Sequence, residues 1–176
     1  HYPVHQGFDE QHFVTPWGAP TRYYPPYFVR WEDHPHPGDS TKTYLTDSIT
    51  HEVVGFIRDY DSEKPFHLSV FYYNVHHPHV GKIEWVRKYR ALGLDEQMAQ
   101  YAGMVSALDE SVGAIMETLK AKNILNNTFV IFTSDQGGTF ENPPFSGGKM
   151  KNTLYEGGTR VPFMIHYGDT YSPKTI

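Results

Sequence analysis

The sequence contains no cysteine. That removes disulfides and thiolate metal sites from consideration and leaves the cellular compartment open. It has no run of the roughly 20 apolar residues needed to span a bilayer and no secretory leader pattern at its start. It has no excess of positive charge either. Lys and Arg number 15 against 20 Asp and Glu, a formal net charge of −5, which gives no reason to expect a nucleic-acid partner. No internal repeat is found. What remains is 176 residues that are 39% hydrophobic and 15% aromatic. That suffices for one domain with a real core and is too apolar for disorder. The chain opens on His1 and stops at Ile176 just past a turn-rich stretch, so it is expected to be an internal piece of a longer domain.

Residues 1–41 are rich in Pro, Tyr, His and Gly without a sustained period. They read as an irregular surface segment, with one short strand expected near 27–30. Leu45, Ile49, Val53, Phe56, Ile57 and Tyr60 recur at spacings of three and four, which predicts a helix over 47–61 capped by Thr46 or Asp47. Residues 66–74 hold Leu68, Val70, Phe71, Tyr72 and Tyr73, a dense β-former run expected to be a buried strand. Met98, Tyr101, Val105, Leu108, Val112, Ile115 and Leu119 form an apolar stripe and predict a long helix over 95–122. Strands are expected at 128–133 and at 160–166, the second with Pro162 marking an edge or bulge. This order of elements argues for an α/β layered domain. Asn126-Asn127-Thr128 matches a glycosylation sequon but reads as an ordinary turn.

In open α/β sheets, ligands collect beyond the carboxyl ends of the strands. Two polar clusters occupy such places. Asp135 and Gln136, in Ser134-Asp135-Gln136-Gly137-Gly138, offer a carboxylate and an amide oxygen, the donors that hard cations take. The two glycines permit the bend that would turn both toward a metal. The alternative is a strand-end Asp capping a turn. The other cluster is Asn74-Val75-His76-His77-Pro78-His79. It lacks helical His spacing for zinc, so its use is a proton or hydrogen-bond donor to an anionic substrate, or else it is a solvated loop. Lys149, after Gly147-Gly148, can reach an anion as a point charge or be a plain surface lysine. The pattern is not a Walker loop.

None of these signals is specific alone, but their order is. Gly7-Phe8-Asp9, Tyr44-Leu45-Thr46-Asp47, the run Phe71 to Pro78, Leu108-Asp109-Glu110-Ser111-Val112-Gly113, Thr128 to Gly138, and Gly147-Gly148-Lys149 followed by Tyr155-Glu156-Gly157-Gly158-Thr159-Arg160-Val161-Pro162 together resemble the formylglycine-dependent sulfatases of the alkaline phosphatase superfamily. The likeness covers essentially the whole chain. It implies a layered α/β sandwich with a central mixed, largely parallel sheet flanked by helices. Residues 1–176 would be part of the catalytic domain, without its amino-terminal nucleophile segment and its carboxy-terminal part.

The resemblance further implies roles for individual residues. Asp135 and Gln136 would ligate one calcium ion, Lys149 would contact the sulfate, and His76 would bind the ester and assist its leaving oxygen. Glu156, Arg160 and Pro162 would be structural. The implied substrate is a sulfated small molecule or polysaccharide, and the implied location is the periplasm or outside the cell. Three departures stand out. Gln136 replaces the family's Asn. Two extra residues between Lys149 and Tyr155 make Lys151 a rival for the sulfate. The Cys/Ser-x-Pro-x-Arg motif that yields the formylglycine, the paired acidic ligands and the Lys-Trp-His stretch are all absent. Truncation is the simplest account, and the 176 residues alone are expected to be inactive. Two rivals stay open: a phosphodiesterase or phosphonate hydrolase of the same superfamily, and a non-catalytic carbohydrate-binding remnant. For the latter, Trp17, Tyr23, Tyr24 and Trp31 would be the sugar-stacking residues.

Overall fold

The computed structural model describes residues 2–12, 18–28, 42–149 and 154–168. The chain divides into two units, His1–Leu119 and Lys120–Ile176.

The first unit is helical. Helix α1, Leu45–Asp59, buries Leu45, Ile49, Val53 and Ile57, one residue per turn along a single face. It begins two residues before the sequence expectation. The reason is that its first N–H is satisfied by backbone: Leu45 N–H donates to the Tyr23 carbonyl at 2.8 Å, and the helical ladder then opens with Ser48 N–H donating to the Tyr44 carbonyl at 3.0 Å. Neither expected cap is used. Asp47 instead pairs with Lys82 (3.0 Å), which also holds Glu110 (3.0 Å). Burial raises the Asp47 carboxyl above its ordinary value while the Lys82 bond pulls it down.

Helix α2, Ile83–Ala91, is not expected from the hydrophobic pattern, because Val86 is its one buried residue. Its signals are of another kind. Glu84 lies in the first turn and Lys88 and Arg90 in the last, which suits the helix dipole. Gly93, at φ +91°, sits just past the end where a left-handed residue closes a helix. Val86 packs on Gly103 so closely that a Cβ at Gly103 would lie 2.9 Å from its methyl.

Helix α3, Glu96–Ala121, agrees closely with its expected span. Asp95 caps it by accepting the Met98 N–H at 2.9 Å, and Asn123 at φ +59° follows its end. The buried face matches the expected stripe only in part. Leu119 is buried as expected, but the other buried residues are Ala99, Gly103, Met104, Ala107 and Ser111, whereas Met98 and Val105 are 37% and 46% exposed. Small residues line this face, so neighbouring backbone approaches closely.

A bidentate pair joins α2 to α3, with Arg90 Nε and Nη2 reaching Glu96 at 2.7 and 2.5 Å. Hydrogen bonds from Arg90 and then Gln100 hold the Glu96 carboxyl down to about 2 from an ordinary 4.5. The folded-state value lies below the unfolded one. The pair's contribution is therefore complete above about pH 4.5 and is lost as pH falls toward 2. Both side chains are exposed, so salt weakens the effect. In urea unfolding, the stability gap between the native sequence and Arg90→Ala is expected to stay constant above pH 4.5 and to close toward pH 2. A gap that persists in full at pH 2 contradicts this.

The second unit holds strands β1, Val130–Thr133, and β2, Phe163–His166, with the short helix α4, Glu156–Thr159, before β2. The strands pair antiparallel, with Ile131 opposite Ile165 and Thr133 opposite Phe163. Strand β2 starts directly after Pro162, which has no N–H for the ladder. Among the described residues no parallel pair is present, so the expected largely parallel sheet is not visible there. Residues 66–74 correct a second expectation, since they pair with no described strand. Composition marks β-formers, but a strand also needs a partner. Phe71 is 84% exposed here, and Ile131, Phe163 and Met164 are exposed too. Such apolar runs suit strands covered on both faces. Of the strand expected at 27–30, Tyr27 and Phe28 are irregular, and its last two residues lie outside the described residues. Among the described residues, no helix is long and apolar enough to cross a membrane.

Candidate active site

His76 belongs to the first unit. It closes a tight turn in which its N–H donates to the Tyr73 carbonyl at 2.7 Å. Three elements clamp this turn. The Tyr23 hydroxyl shares its proton between the carbonyls of Tyr73 (2.5 Å) and His76 (3.0 Å). Thr46, in the first turn of α1, donates to Asn74 Oδ1 at 2.5 Å. Asn74 Nδ2 donates to the Met104 carbonyl on α3 at 2.8 Å. Farther along, the Tyr44 hydroxyl donates to the Val80 carbonyl at 2.9 Å. Burial pushes both the Tyr23 and Tyr44 phenols well above their ordinary value, so they act as donors at any physiological pH.

The three loop histidines differ in their surroundings. His77 and His79 stack on each other at 4.1 Å, and His79 meets the edge of Tyr101 on α3. His76 places Nδ1 3.0 Å from the His77 carbonyl. A carbonyl only accepts, so Nδ1 carries a proton. Nε2 is then an acceptor in the neutral ring and a donor in the imidazolium. Proton donation to an ester oxygen therefore requires the charged form of His76.

Asp135, Gln136 and Lys149 belong to the second unit. Asp135 is exposed in the bend after β1. Gln136 Nε2 donates to Asp135 Oδ2 at 3.2 Å, which leaves Asp135 Oδ1 and Gln136 Oε1 as the oxygens a metal would use. Their chemistry fits a hard cation. Calcium takes six to eight oxygens, so the pair fills only part of a shell. No group of three or more acidic or histidine side chains suited to a metal occurs among the described residues.

The glycine-rich motifs singled out in the sequence meet in space. Gly137 N–H donates to the Gly158 carbonyl (2.9 Å), Lys149 N–H to the Gly138 carbonyl (3.1 Å), and Gly157 N–H to the Ser146 carbonyl (2.8 Å). The segments carrying Asp135-Gln136, Lys149 and Glu156 are thereby tied into one backbone knot. Side chains are excluded from it: a Cβ at Gly137 would lie 1.9 Å from the Gly157 carbonyl oxygen, and one at Gly157 2.3 Å from that of Gly147. The need at Gly137 is thus close approach rather than a special bend; the positive φ, +77°, is at Gly147. Glu156 and Arg160 pair with each other at 3.4 Å, and the Arg160 guanidinium lies 4.9 Å from the Phe145 ring centre. A cavity of about 260 Å³ is lined by Glu141, Pro143, Phe145, Ser146 and Gly147. The Glu141 carboxylate opposes an anion there.

Tyr23 is a structural clamp, which corrects its expected place among sugar-stacking aromatics. It is 0% exposed and stacks on Tyr44 at 5.6 Å, so no sugar reaches it. Tyr24 is half-buried, and its hydroxyl accepts the Ile83 N–H at 3.2 Å. Trp17, Trp31 and Lys151 lie outside the described residues. The signal for Tyr23 was weak, because no periodicity marks an inward-facing residue in a loop.

Comparison with known proteins gives a consistent picture. The family model described as Sulfatase matches residues 1–176. A protein named Sulfatase from Formosa agariphila is 34% identical over 153 residues, covering 78% of this chain and 27% of its own length. The N-acetylgalactosamine-6-sulfatase of Sus scrofa is 30% identical, covering 92% of this chain and 33% of its own length. Among solved structures, Ps i-CgsB in complex with k-i-k-neocarrahexaose superposes with a TM-score of 0.66 at 34% identity, over 76% of this chain and 31% of that one. The chain thus spans about a third or less of the relatives it matches. Matched over its whole length, and carrying the Ser-Asp-Gln-Gly-Gly, Gly-Gly-Lys and Tyr-Glu-Gly-Gly segments in one knot, the chain belongs to the sulfatase family.

Proposed function

We propose that the protein containing these residues hydrolyses sulfate esters of a carbohydrate, and that His76, Asp135, Gln136 and Lys149 serve that reaction. The observation that carries this reading is the backbone knot joining the Asp135-Gln136 and Lys149 segments in a chain of the sulfatase family. An oxygen pair suited to a cation and a lysine with an anchored backbone are what a sulfuryl group needs around its oxygens. The carbohydrate part draws on the relatives, one an N-acetylgalactosamine-6-sulfatase and another solved with k-i-k-neocarrahexaose.

In this reading Asp135 and Gln136 hold calcium, which when bound offsets negative charge on the sulfuryl oxygens. Lys149 donates to a sulfate oxygen. His76, as imidazolium, gives its Nε2 proton to the departing sugar oxygen. The nucleophile, a formylglycine by family resemblance, comes from outside these 176 residues, so the isolated chain has no turnover. The complete domain is a layered α/β sandwich with a central mixed, largely parallel sheet, exported to the periplasm or beyond.

The test is sulfate release by the full-length protein from sulfated galactose-based oligosaccharides, with and without a calcium chelator. The expected result is release that chelation abolishes and added calcium restores. Chelation without effect removes the role given to Asp135 and Gln136. Binding of the oligosaccharides without release favours a carbohydrate-binding protein.

A further inference from the structure

We propose that Tyr23 is a positioning residue for His76, setting the direction from which this histidine delivers its proton. The inference rests on the reading of His76 as the general acid. Tyr23 lies in an irregular segment 53 residues upstream of His76, yet it is completely buried. Its own backbone is fixed, because its carbonyl accepts the first N–H of α1 at 2.8 Å. Its ring is fixed by stacking on Tyr44.

From that anchored ring the hydroxyl reaches both ends of the turn, the Tyr73 and His76 carbonyls. The His76 carbonyl is held by Tyr23, and the His76 N–H by Tyr73. The imidazole is steadied one residue on, through Nδ1 and the His77 carbonyl. Both backbone polar groups of His76 thus have fixed partners. The position of its Cα, and the arc its Nε2 can sweep, follow from α1 through Tyr23. Misplacement by about 1 Å can cost on the order of 100-fold in a proton-transfer step.

The experiment uses the full-length enzyme and aryl sulfates whose leaving phenols differ in acidity. A lost or misdirected general acid slows poor leaving groups and spares good ones. His76→Ala is expected to lose rate steeply toward the least acidic phenol. Tyr23→Phe, which keeps the ring and its stacking, is expected to follow the same trend, about 10-fold down on the poorest leaving group and little changed on nitrophenyl sulfate. Tyr27→Phe is the control. It removes a like bond from a buried phenol to a carbonyl, at Thr43, and is expected to show no leaving-group trend.

A uniform loss, or no loss, in Tyr23→Phe overturns the inference while His76 keeps its role. A His76→Ala variant without a leaving-group trend overturns the reading of His76 itself. If Tyr23→Phe folds poorly, Thr46→Val replaces it, since that change loosens the same turn through Asn74 and is read in the same two ways.

Discussion

Replacing Lys149 by alanine in the full-length protein is expected to lower kcat on a sulfate ester by about 100- to 1,000-fold, the scale of losing one fixed donor to developing charge. The backbone argues for this residue. Its N–H is bonded to Gly138, two residues past Gln136, and Gly147 at φ +77° turns the chain two residues before it. Arginine at the same position keeps the charge but not the compact ammonium, so Lys149→Arg should recover only part of the rate. Lys151 is the competitor from sequence, and Lys151→Ala is expected to change little. A large loss in Lys151→Ala with little in Lys149→Ala would reverse the assignment. Stability should be unaffected in either case, which unfolding midpoints can check.

The second large effect is expected from Gly137→Ala. The new Cβ would lie 1.9 Å from the Gly157 carbonyl oxygen and 3.1 Å from the Gly158 Cα. Backbone, unlike the end of a long side chain, cannot step aside. Overpacking of this kind costs roughly 1–3 kcal/mol. Here it also breaks the bond from Gly137 to Gly158, so the segments bearing Asp135 and Glu156 separate. Activity and thermal midpoint should fall together. Gly113→Ala is the matched control. A Cβ there meets nothing within 4 Å, and Gly113 lies inside α3, so that change should stabilise by about 0.4–1 kcal/mol. Equal behaviour of the two variants would show that the close approach at Gly137 has no energetic weight.

Legibility in the sequence followed physical cause. Helices α1 and α3 were readable because Leu45, Ile49, Val53 and Ile57 on one, and a sustained apolar series on the other, repeat at the helical period. Helix α2 was not, because it buries only Val86 and announces itself by end charges and Gly93. Strands β1 and β2 were readable from β-branched and aromatic runs. Their antiparallel pairing was not, since composition carries no partner information, and the same lack made residues 66–74 look like a strand. The glycines before Lys149 and after Gln136 were visible as motifs, but their purpose, three backbones in contact, needed coordinates. Tyr23 was visible and misassigned, because an aromatic in an aperiodic loop can face either way.

The most direct test of the central claim is the ratio of kcat/KM for an aryl sulfate to that for the matching aryl phosphate, measured on the full-length protein. Sulfate and phosphate esters share their geometry, so the ratio reports the site's chemistry rather than its shape. The sulfate is expected to be strongly preferred, and Lys149→Ala to lower its turnover. Faster turnover of the phosphate, with the sulfate untouched, would contradict it.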